Sequence, residues 1–342
     1  MNICFIMDPW ENIDPETDST IRLIHEGVKR KHNIGIVYPH NLTIRDTVVN
    51  ATCRMVVKTN TLPSNISSFY KKIQFKKQML PLRGFDVIFV RDDPPIDNFM
   101  LNVLDSVKGD SFIINDVDGL RKANNKIYTA ALDEENKHFI PVTHVSKNKE
   151  YLKHAVSESA TDKMILKPLD GFGGSGVIVL EKEAKQNINS LLDFYIDKKG
   201  KNNYVIMQEF IESEKKGDVR ILMLNGQPIG AMRRVPADDD MRSNVHAGGS
   251  VEKHTLSKQE KLLCKNIGPK LVSDGLYFVG LDLIGEKLIE VNVCSPGGIV
   301  RINKLNRTKL QEKILDFAEE VTRKKDLITT RKMEFRKAVS DA

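Results

Sequence analysis

The chain has 342 residues and a mass of 38.7 kDa, with 40% apolar and 29% charged residues, more than one hydrophobic core usually holds, so two or three lobes are expected. Apolar runs such as Val87-Ile-Phe-Val90 fall far short of the ~20 residues of a membrane-spanning helix. Met1 to Met7 lacks a basic segment and runs straight into Asp8-Pro9, which excludes a secretory signal and points to a cytoplasmic protein. Four cysteines without a CxxC pair fit reduced thiols. The formal charge is +6, and seven basic against three acidic residues between Arg323 and Ala342 supply +4 of it, leaving the body nearly balanced. Such a tail reads as a solvated helix or arm, with neither nucleic acid nor a membrane expected as partner.

Ile3 to Met7 forms a strand-like run. After a polar loop, Ile21, Ile24 and Val28 recur at near-helical spacing before a second run, Ile34 to Tyr38, which makes a βαβ opening. Phe85 to Val90 and Ser111 to Ile114 are further strand candidates around a helix candidate at Phe99 to Val107. Residues 1–121 therefore read as an open α/β domain. Such sheets place ligands at the carboxyl ends of their strands, here Asp8 to Ser19 and Arg91-Asp-Asp-Pro-Pro95.

Gly171-Phe-Gly173-Gly174-Ser175-Gly176 has the G-x-G-x-x-G spacing of a dinucleotide loop, yet it leads into Val177-Ile-Val-Leu180, a strand pattern and not a helix N-terminus. Strand, glycine loop and strand make a hairpin flap that closes on a triphosphate or is simply a flexible turn. Lys167 lies on the strand before it. Ile188, Leu191, Leu192 and Tyr195 mark one face of a helix, and Asn225-Gly226 between two apolar runs predicts a β-hairpin. Ser257 and Glu260 form a capping box for a helix that Pro269 is expected to kink.

Leu281 to Val293 reads as two alternating strands about Gly285-Glu286-Lys287. Centring the turn on Glu286 sets Asp282 opposite Glu290 and leaves Leu281, Leu283, Ile289, Val291 and Val293 on the other face. Opposed carboxylates with a nearby amide suit a hard cation such as Mg²⁺; the alternative is the solvated face of an edge hairpin.

Taken together, Lys126, Lys167, the glycine flap, Gln208-Glu-Phe-Ile211 and the Asp282, Glu290, Asn292 hairpin resemble the ATP-grasp superfamily of carboxylate-amine ligases. Met7-Asp-Pro9, Asp18-Ser19, Arg91 to Pro95, Leu166 to Gly174, Ala247-Gly-Gly249 and Phe278 to Asp282 narrow the resemblance to the bacterial type of glutathione synthetase, over the chain to about residue 320. The resemblance implies an N-terminal substrate-binding α/β domain (1–121), an ATP-grasp central or lid domain (122–203), a C-terminal α+β catalytic domain (204–320) and a basic tail (321–342). It implies joining of γ-glutamylcysteine and glycine through an acyl phosphate, with ATP cleaved to ADP and phosphate, by a cytoplasmic homo-oligomer such as a tetramer. By position, Lys126, Lys167, Gly173, Gly174 and Ser175 would hold phosphates, Gln208, Glu209, Phe210 and Ile211 the adenine, and Asp218 the ribose. Asp282, Glu290 and Asn292 would carry two Mg²⁺, with Mn²⁺ able to replace them. Arg220 and Arg234 would face the reacting carboxylate as catalytic groups, their other reading being surface salt bridges. Asp18, Ser19, Arg91, Asn244, Gly249 and Ser295 would bind the peptide substrate, although Asp18 also reads as a helix N-cap. Residues 236–249 match a loop that closes over the acyl phosphate.

Two positions depart from the family pattern: Ser250 stands where arginine is usual, and Asn292-Val-Cys-Ser-Pro-Gly297 where Asn-Val-Thr-Ser-Pro-Thr is usual. Both concern the substrate end, so a related ligase with another amino acid or peptide is the alternative. Cys294 reads as a small buried thiol in place of threonine. A nucleotide-binding regulator without catalysis and an NAD-dependent oxidoreductase are the competing classes; the metal-like hairpin argues against the first and the strand after Gly176 against the second.

Overall fold

The computed structural model describes residues 1–132, 134–169, 176–183, 185–197, 202–213, 217–236 and 249–340. The chain divides into two compact units, one of residues 1–120, 275–278 and 294–342, the other of residues 121–274 and 279–293.

In the first unit, β1 (Asn2–Met7), α1 (Ser19–Lys29) and β2 (Asn33–Val37) form the βαβ opening, with β1 and β2 parallel from Asn2↔Asn33 to Ile6↔Val37. β3 (Leu42–Arg45), β4 (Val48–Val56), α2 (Ile66–Lys72) and β5 (Phe75–Pro81) follow, then β6 (Val87–Arg91), α3 (Asn98–Asp105), β7 (Phe112–Ile114) and α4 (Val117–Ala123). The sheet order is β3-β4-β2-β1-β6-β7, with β5 on β4. Ile3 to Met7 and Val87 to Arg91 are buried throughout, as parallel strands covered on both faces must be. The antiparallel wing behaves differently. β4 alternates in burial, and β5 is an exposed edge whose Lys76 and Lys77 discourage further pairing. Asp18 ends the loop after β1 by accepting the Ile21 N–H at 2.8 Å as N-cap of α1.

The second unit opens with α5 (Ile127–Ala130). β8 (Thr143–Ser146), α6 (Lys149–Glu158), β9 (Lys163–Pro168), β10 (Ile178–Glu181), α7 (Lys185–Ile196) and β11 (Val205–Glu209) come next, and their strands make an antiparallel sheet of order β10-β9-β11-β8. Leu152, Leu166, Leu192, Tyr195 and Met207 build the core beneath it, so the face predicted from Ile188 to Tyr195 is the one buried. β9 and β10 flank the glycine loop as an antiparallel pair, in line with a flap and not with a strand-to-helix fingerprint. β12 (Asp218–Leu224), β13 (Gln227–Val235), β14 (Ser250–Lys253), α8 (Lys258–Ser273), β15 (Phe278–Ile284) and β16 (Lys287–Asn292) complete the unit, with strand order β14-β13-β12-β15-β16. Asn225 (φ 47°) and Gly226 (φ 75°) turn β12 into β13, both in the left-handed region that Asn-Gly supplies. Ser257 and Glu260 close the capping box of α8, which runs as one helix through Pro269.

The β15–β16 register corrects the expected hairpin in one respect. Ile284 pairs with Lys287, so the turn has two central residues, and a shift between Asp282 and Leu283 restores Asp282↔Glu290 and Gly280↔Asn292. The buried apolar residue on that stretch is consequently Leu288, while Ile289 is half-buried. The chain then returns to the first unit through α9 (Ile299–Asn306) and α10 (Leu310–Ser340), a helix continuous through residues 320 and 321.

Candidate active site

In the second unit, strand pairing assembles a compact charged cluster. Asp218 opens β12 directly opposite Arg234 of β13, and Asp282 and Glu290 pair across β15 and β16. Arg220, two residues into β12, donates to both oxygens of Asp282, from Nε to Oδ1 and from Nη2 to Oδ2 at 2.7 Å. Arg234 donates from Nε to Asp218 Oδ1 at 2.7 Å and from Nη2 to Asp218 Oδ2, and its Nη2 also lies 3.0 Å from Asp282 Oδ2. Asn292 Nδ2 donates to the same Asp282 oxygen at 3.0 Å. Asp218, Arg220 and Asp282 are buried, so these are desolvated, bidentate pairs and not surface salt bridges. Burial pushes the Asp282 carboxyl up, but Arg220 and Arg234 overcome it and hold it well below the usual range. Asp218 goes the other way, raised by burial and the Asp282 charge against the pull of Arg234 and Arg220. Two glycines make the arrangement possible. A Cβ on Gly217 (φ 93°) would meet the Arg234 carbonyl oxygen at 1.9 Å, and one on Gly280 would press the Arg220 side chain at 3.2 Å.

Lys126, just ahead of α5, places its ammonium 3.3 Å from Glu290. Lys167 on β9 is buried and donates to Gln208 Oε1 at 2.9 Å, while Gln208 Nε2 donates to Thr143 Oγ1 at 2.8 Å. Burial lowers the Lys167 ammonium to about 8, with Lys126 acting in the same direction and Glu290 against. Glu209 accepts the Val142 N–H at 3.1 Å, and the Phe210 N–H donates to Lys163 at 3.3 Å. The Gln208 and Glu209 side chains are thus engaged within the protein, and Ile211 lies beyond the strand end. Gly173, Gly174, Ser175 and Asn244 fall outside the described residues; Gly249 immediately precedes β14, which Ser250 opens opposite Val235.

Asp282, Glu290 and Asn292 offer only oxygen donors of the hard kind, on one face of one hairpin. Among the described residues no three His, Cys, Asp or Glu side chains converge as a metal site, so a metal on this hairpin would need the Asn292 amide oxygen as its third donor. With that ligand the set fits Mg²⁺.

The first unit carries a second group at the carboxyl ends of β1 and β6. Arg91 is buried beside Asp18 and Asp93; its Nε donates to Thr20 Oγ1 at 3.1 Å and its Nη2 to the Pro296 carbonyl at 3.2 Å, while Nη1 has no partner among the described residues. Ser19 Oγ accepts the N–H groups of Gly298 (3.1 Å) and Ile299 (3.2 Å), fixing the start of α9. Asp8, Tyr38, His40, Asp92 and Phe99 help line a cavity of about 400 Å³ at this end. Burial, Asp8 and Asp93 raise the Asp92 carboxyl to about 7. Asp93, absent from the sequence-derived site, is held by the Ser295 hydroxyl and Arg91. Its place in Arg91-Asp-Asp-Pro-Pro95 was the available signal. Cys294 is buried, and burial followed by Asp93 and Asp92 pushes its thiol up to about 12, which fits a packing residue and not a nucleophile.

Residues 1–121 match the family model of the prokaryotic glutathione synthetase N-terminal domain, and residues 125–307 that of the prokaryotic glutathione synthetase ATP-grasp domain. The glutathione synthetase of Gloeobacter violaceus is 35% identical over 334 residues, covering 94% of this chain and 98% of the relative, and that of Agrobacterium fabrum is 31% identical, covering 93% and 96%. Among solved structures, D-cycloserine synthetase DcsG superposes with a TM-score of 0.61 at 13% identity, covering 94% of this chain and 99% of that one. Macrocyclase MdnC from Microcystis aeruginosa, bound to its precursor peptide, reaches 0.61 at 14% identity, covering 94% and 100%. At such identities the structural likeness establishes the fold alone.

Proposed function

This chain belongs to the prokaryotic glutathione synthetase family and is an ATP-grasp ligase, and from that premise we propose how its residues join γ-glutamylcysteine to glycine. A carboxylate is a poor electrophile, so its oxygen attacks the γ-phosphorus of ATP, releasing ADP and leaving an acyl phosphate. The amine of glycine then attacks the carbonyl carbon, and the tetrahedral intermediate loses a proton and expels phosphate. Lys126 and Lys167 would hold the phosphates, with the glycine flap (Gly173, Gly174, Ser175) over them, Gln208 to Ile211 at the adenine and Asp218 toward the ribose. Asp282, Glu290 and Asn292 would hold two Mg²⁺, which neutralise charge on the transferred phosphoryl group. Arg220 and Arg234, held in place by Asp282 and Asp218, would face the reacting carboxylate and stabilise the developing oxyanion as fixed donors.

The observation that carries this reading is the meeting of Lys126, Glu290, Asp282, Arg220 and Arg234 within one strand-built cluster. In the first unit, Arg91, whose Nη1 has no partner among the described residues, would take a carboxylate of the peptide, with Asp18, Ser19 and Ser295 around it; Asn244 and Gly249 are proposed for the same substrate. The same proposal includes a lid over residues 122–203, a catalytic domain over 204–320, a cytoplasmic setting and a homo-oligomer such as a tetramer. A second reading, a ligase for another amino acid or peptide, draws on Gly297, where a Cβ would meet nothing within 4 Å and the substrate end is roomier than a threonine would leave it.

ADP release is measured with ATP, Mg²⁺ and γ-glutamylcysteine, with and without glycine, and the product is weighed by mass spectrometry. Glycine-dependent ADP together with glutathione is expected, and Glu290→Ala should reduce both by at least about a hundredfold. ADP release with other carboxylate and amine pairs alone would favour the second reading.

A further inference from the structure

The outer half of α10 presents a surface that the ligase module does not use. The family models stop at residue 307, before this helix begins. Its first turns are anchored in the first unit: Leu310, Ile314, Leu315 and Ala318 are buried, and Arg30 reaches Asp316 at 2.7 Å and Glu319 at 3.1 Å. Beyond Thr322 the helix continues with almost no cover. Leu327 is 62% exposed, Ile328 68% and Phe335 61%. A helix exposed on all sides for several turns gains nothing from tertiary packing, and apolar side chains uncovered to this extent mark a contact surface.

The arrangement around the axis narrows the partner. At 3.6 residues per turn, Leu327, Phe335 and Ile328 fall within one arc of roughly 100°. Arg331 lies in that arc with its guanidinium 5.4 Å from the Phe335 ring centroid, so its stem follows the apolar surface while its charge reaches outward. Lys324 falls inside the arc, Arg323 and Glu334 border it on one side, and Lys325 and Arg336 lie beyond it on the other; Asp326 and Met333, 65% exposed, lie on the far side.

We propose that residues 323–340 dock this protein peripherally on an anionic lipid surface, with Leu327, Ile328 and Phe335 entering the headgroup boundary and the flanking cations meeting lipid phosphates. An apolar arc on a helix that carries six basic and two acidic residues between Arg323 and Arg336 suits an anionic plane and not an enclosing protein groove. Symmetric pairing with a second copy would bring two such basic segments together. A nucleic acid would satisfy the charge and leave the apolar arc uncovered. The contact is peripheral, since among the described residues no helix is long and apolar enough to cross a membrane. This replaces the sequence expectation of no membrane partner.

The test is flotation of the full chain with vesicles of phosphatidylcholine alone and of phosphatidylcholine containing one third phosphatidylglycerol. Binding is expected only to the anionic vesicles, weakened by added salt, and reduced about tenfold in Leu327→Glu/Phe335→Glu, with ligase activity unchanged because neither residue belongs to the site. Equal binding to both vesicle types, no binding to either, or undiminished binding of the double variant overturns the proposal. So does a sedimentation-detected oligomer that the double variant dissolves, which would make the arc a subunit contact, or RNA binding in preference to vesicles.

Discussion

Burial holds the Lys167 ammonium near 8, and Lys126 deepens the effect although Glu290 opposes it. Because this value lies below the ordinary 10.5, the cost of carrying the charge is present in full below about pH 8 and is relieved as pH rises from 8 toward 10.5. Polyphosphate beside the ammonium would reverse the shift. ATP binding near pH 8 should therefore take up about half a proton at this side chain, read by calorimetry in buffers of different ionisation enthalpy. Lys167→Arg, charged throughout, should bind ATP with that uptake removed; an unchanged uptake would place the phosphates elsewhere. Lys167 was identifiable because it precedes a glycine flap, a local pattern. The pairing of Lys167 with Gln208, a residue the resemblance placed at the adenine, and the support of that amide by Thr143 were not, because they depend on how β8, β9 and β11 lie beside one another. Asp18 is the N-cap of α1, as its sequence position allowed, and it also lies near the buried Arg91.

The hairpin of β12 and β13 shows how an element positions a site through contacts far from it. Its turn lies against α8 so closely that a Cβ on Gly268 would stand 2.2 Å from the Gly226 carbonyl oxygen, a backbone atom with no rotamer to adopt. Gly268→Ala should lower the unfolding free energy by about 2 kcal/mol as overpacking does, seen as a fall in the urea midpoint at unchanged m. Gly109→Ala, where a Cβ meets nothing within 4 Å, should leave the midpoint in place. An equal loss at both would mean that the close approach does not set the cost, since reduced freedom of the unfolded chain acts in the stabilising direction. The Asn225-Gly226 turn was legible in the sequence because left-handed backbone at two successive residues demands such chemistry. The β15–β16 turn was legible only to within one residue, since the shift that keeps Asp282 opposite Glu290 leaves no local mark. β3, β4 and β5 escaped the reading altogether, because a half-solvated antiparallel wing carries short, polar-rich alternation and not the apolar runs of β1 and β6.

At the scale of the molecule, the two units are not consecutive in sequence. Residues 275–278 and 294–342 return to the unit that residues 1–120 begin, so the N-terminal unit is completed by the far end of the chain. Periodicity showed the separate pieces and could not show this return, which rests on side chains such as Phe317 meeting Phe112 and Tyr277. The return gives α10 two parts with different duties. Up to Thr322 it supplies buried side chains, and Leu315 packs where α1 narrows at Gly27. His32 adds a 2.7 Å contact to Glu319. Past that point the apolar side chains lie open. A chain ending at Arg323 should therefore keep its unfolding free energy to within about 0.5 kcal/mol, the usual range for changes at an exposed surface, and should keep its ligase activity. A chain ending at Arg307 removes Leu310, Ile314, Leu315 and Ala318 together and should not fold. Stability compared by urea unfolding, with soluble yield as the second readout, separates the two. If the shorter loss alone lowers the unfolding free energy by several kcal/mol, the outer turns are part of the first unit's support and the boundary between anchor and projecting arm lies further along the helix.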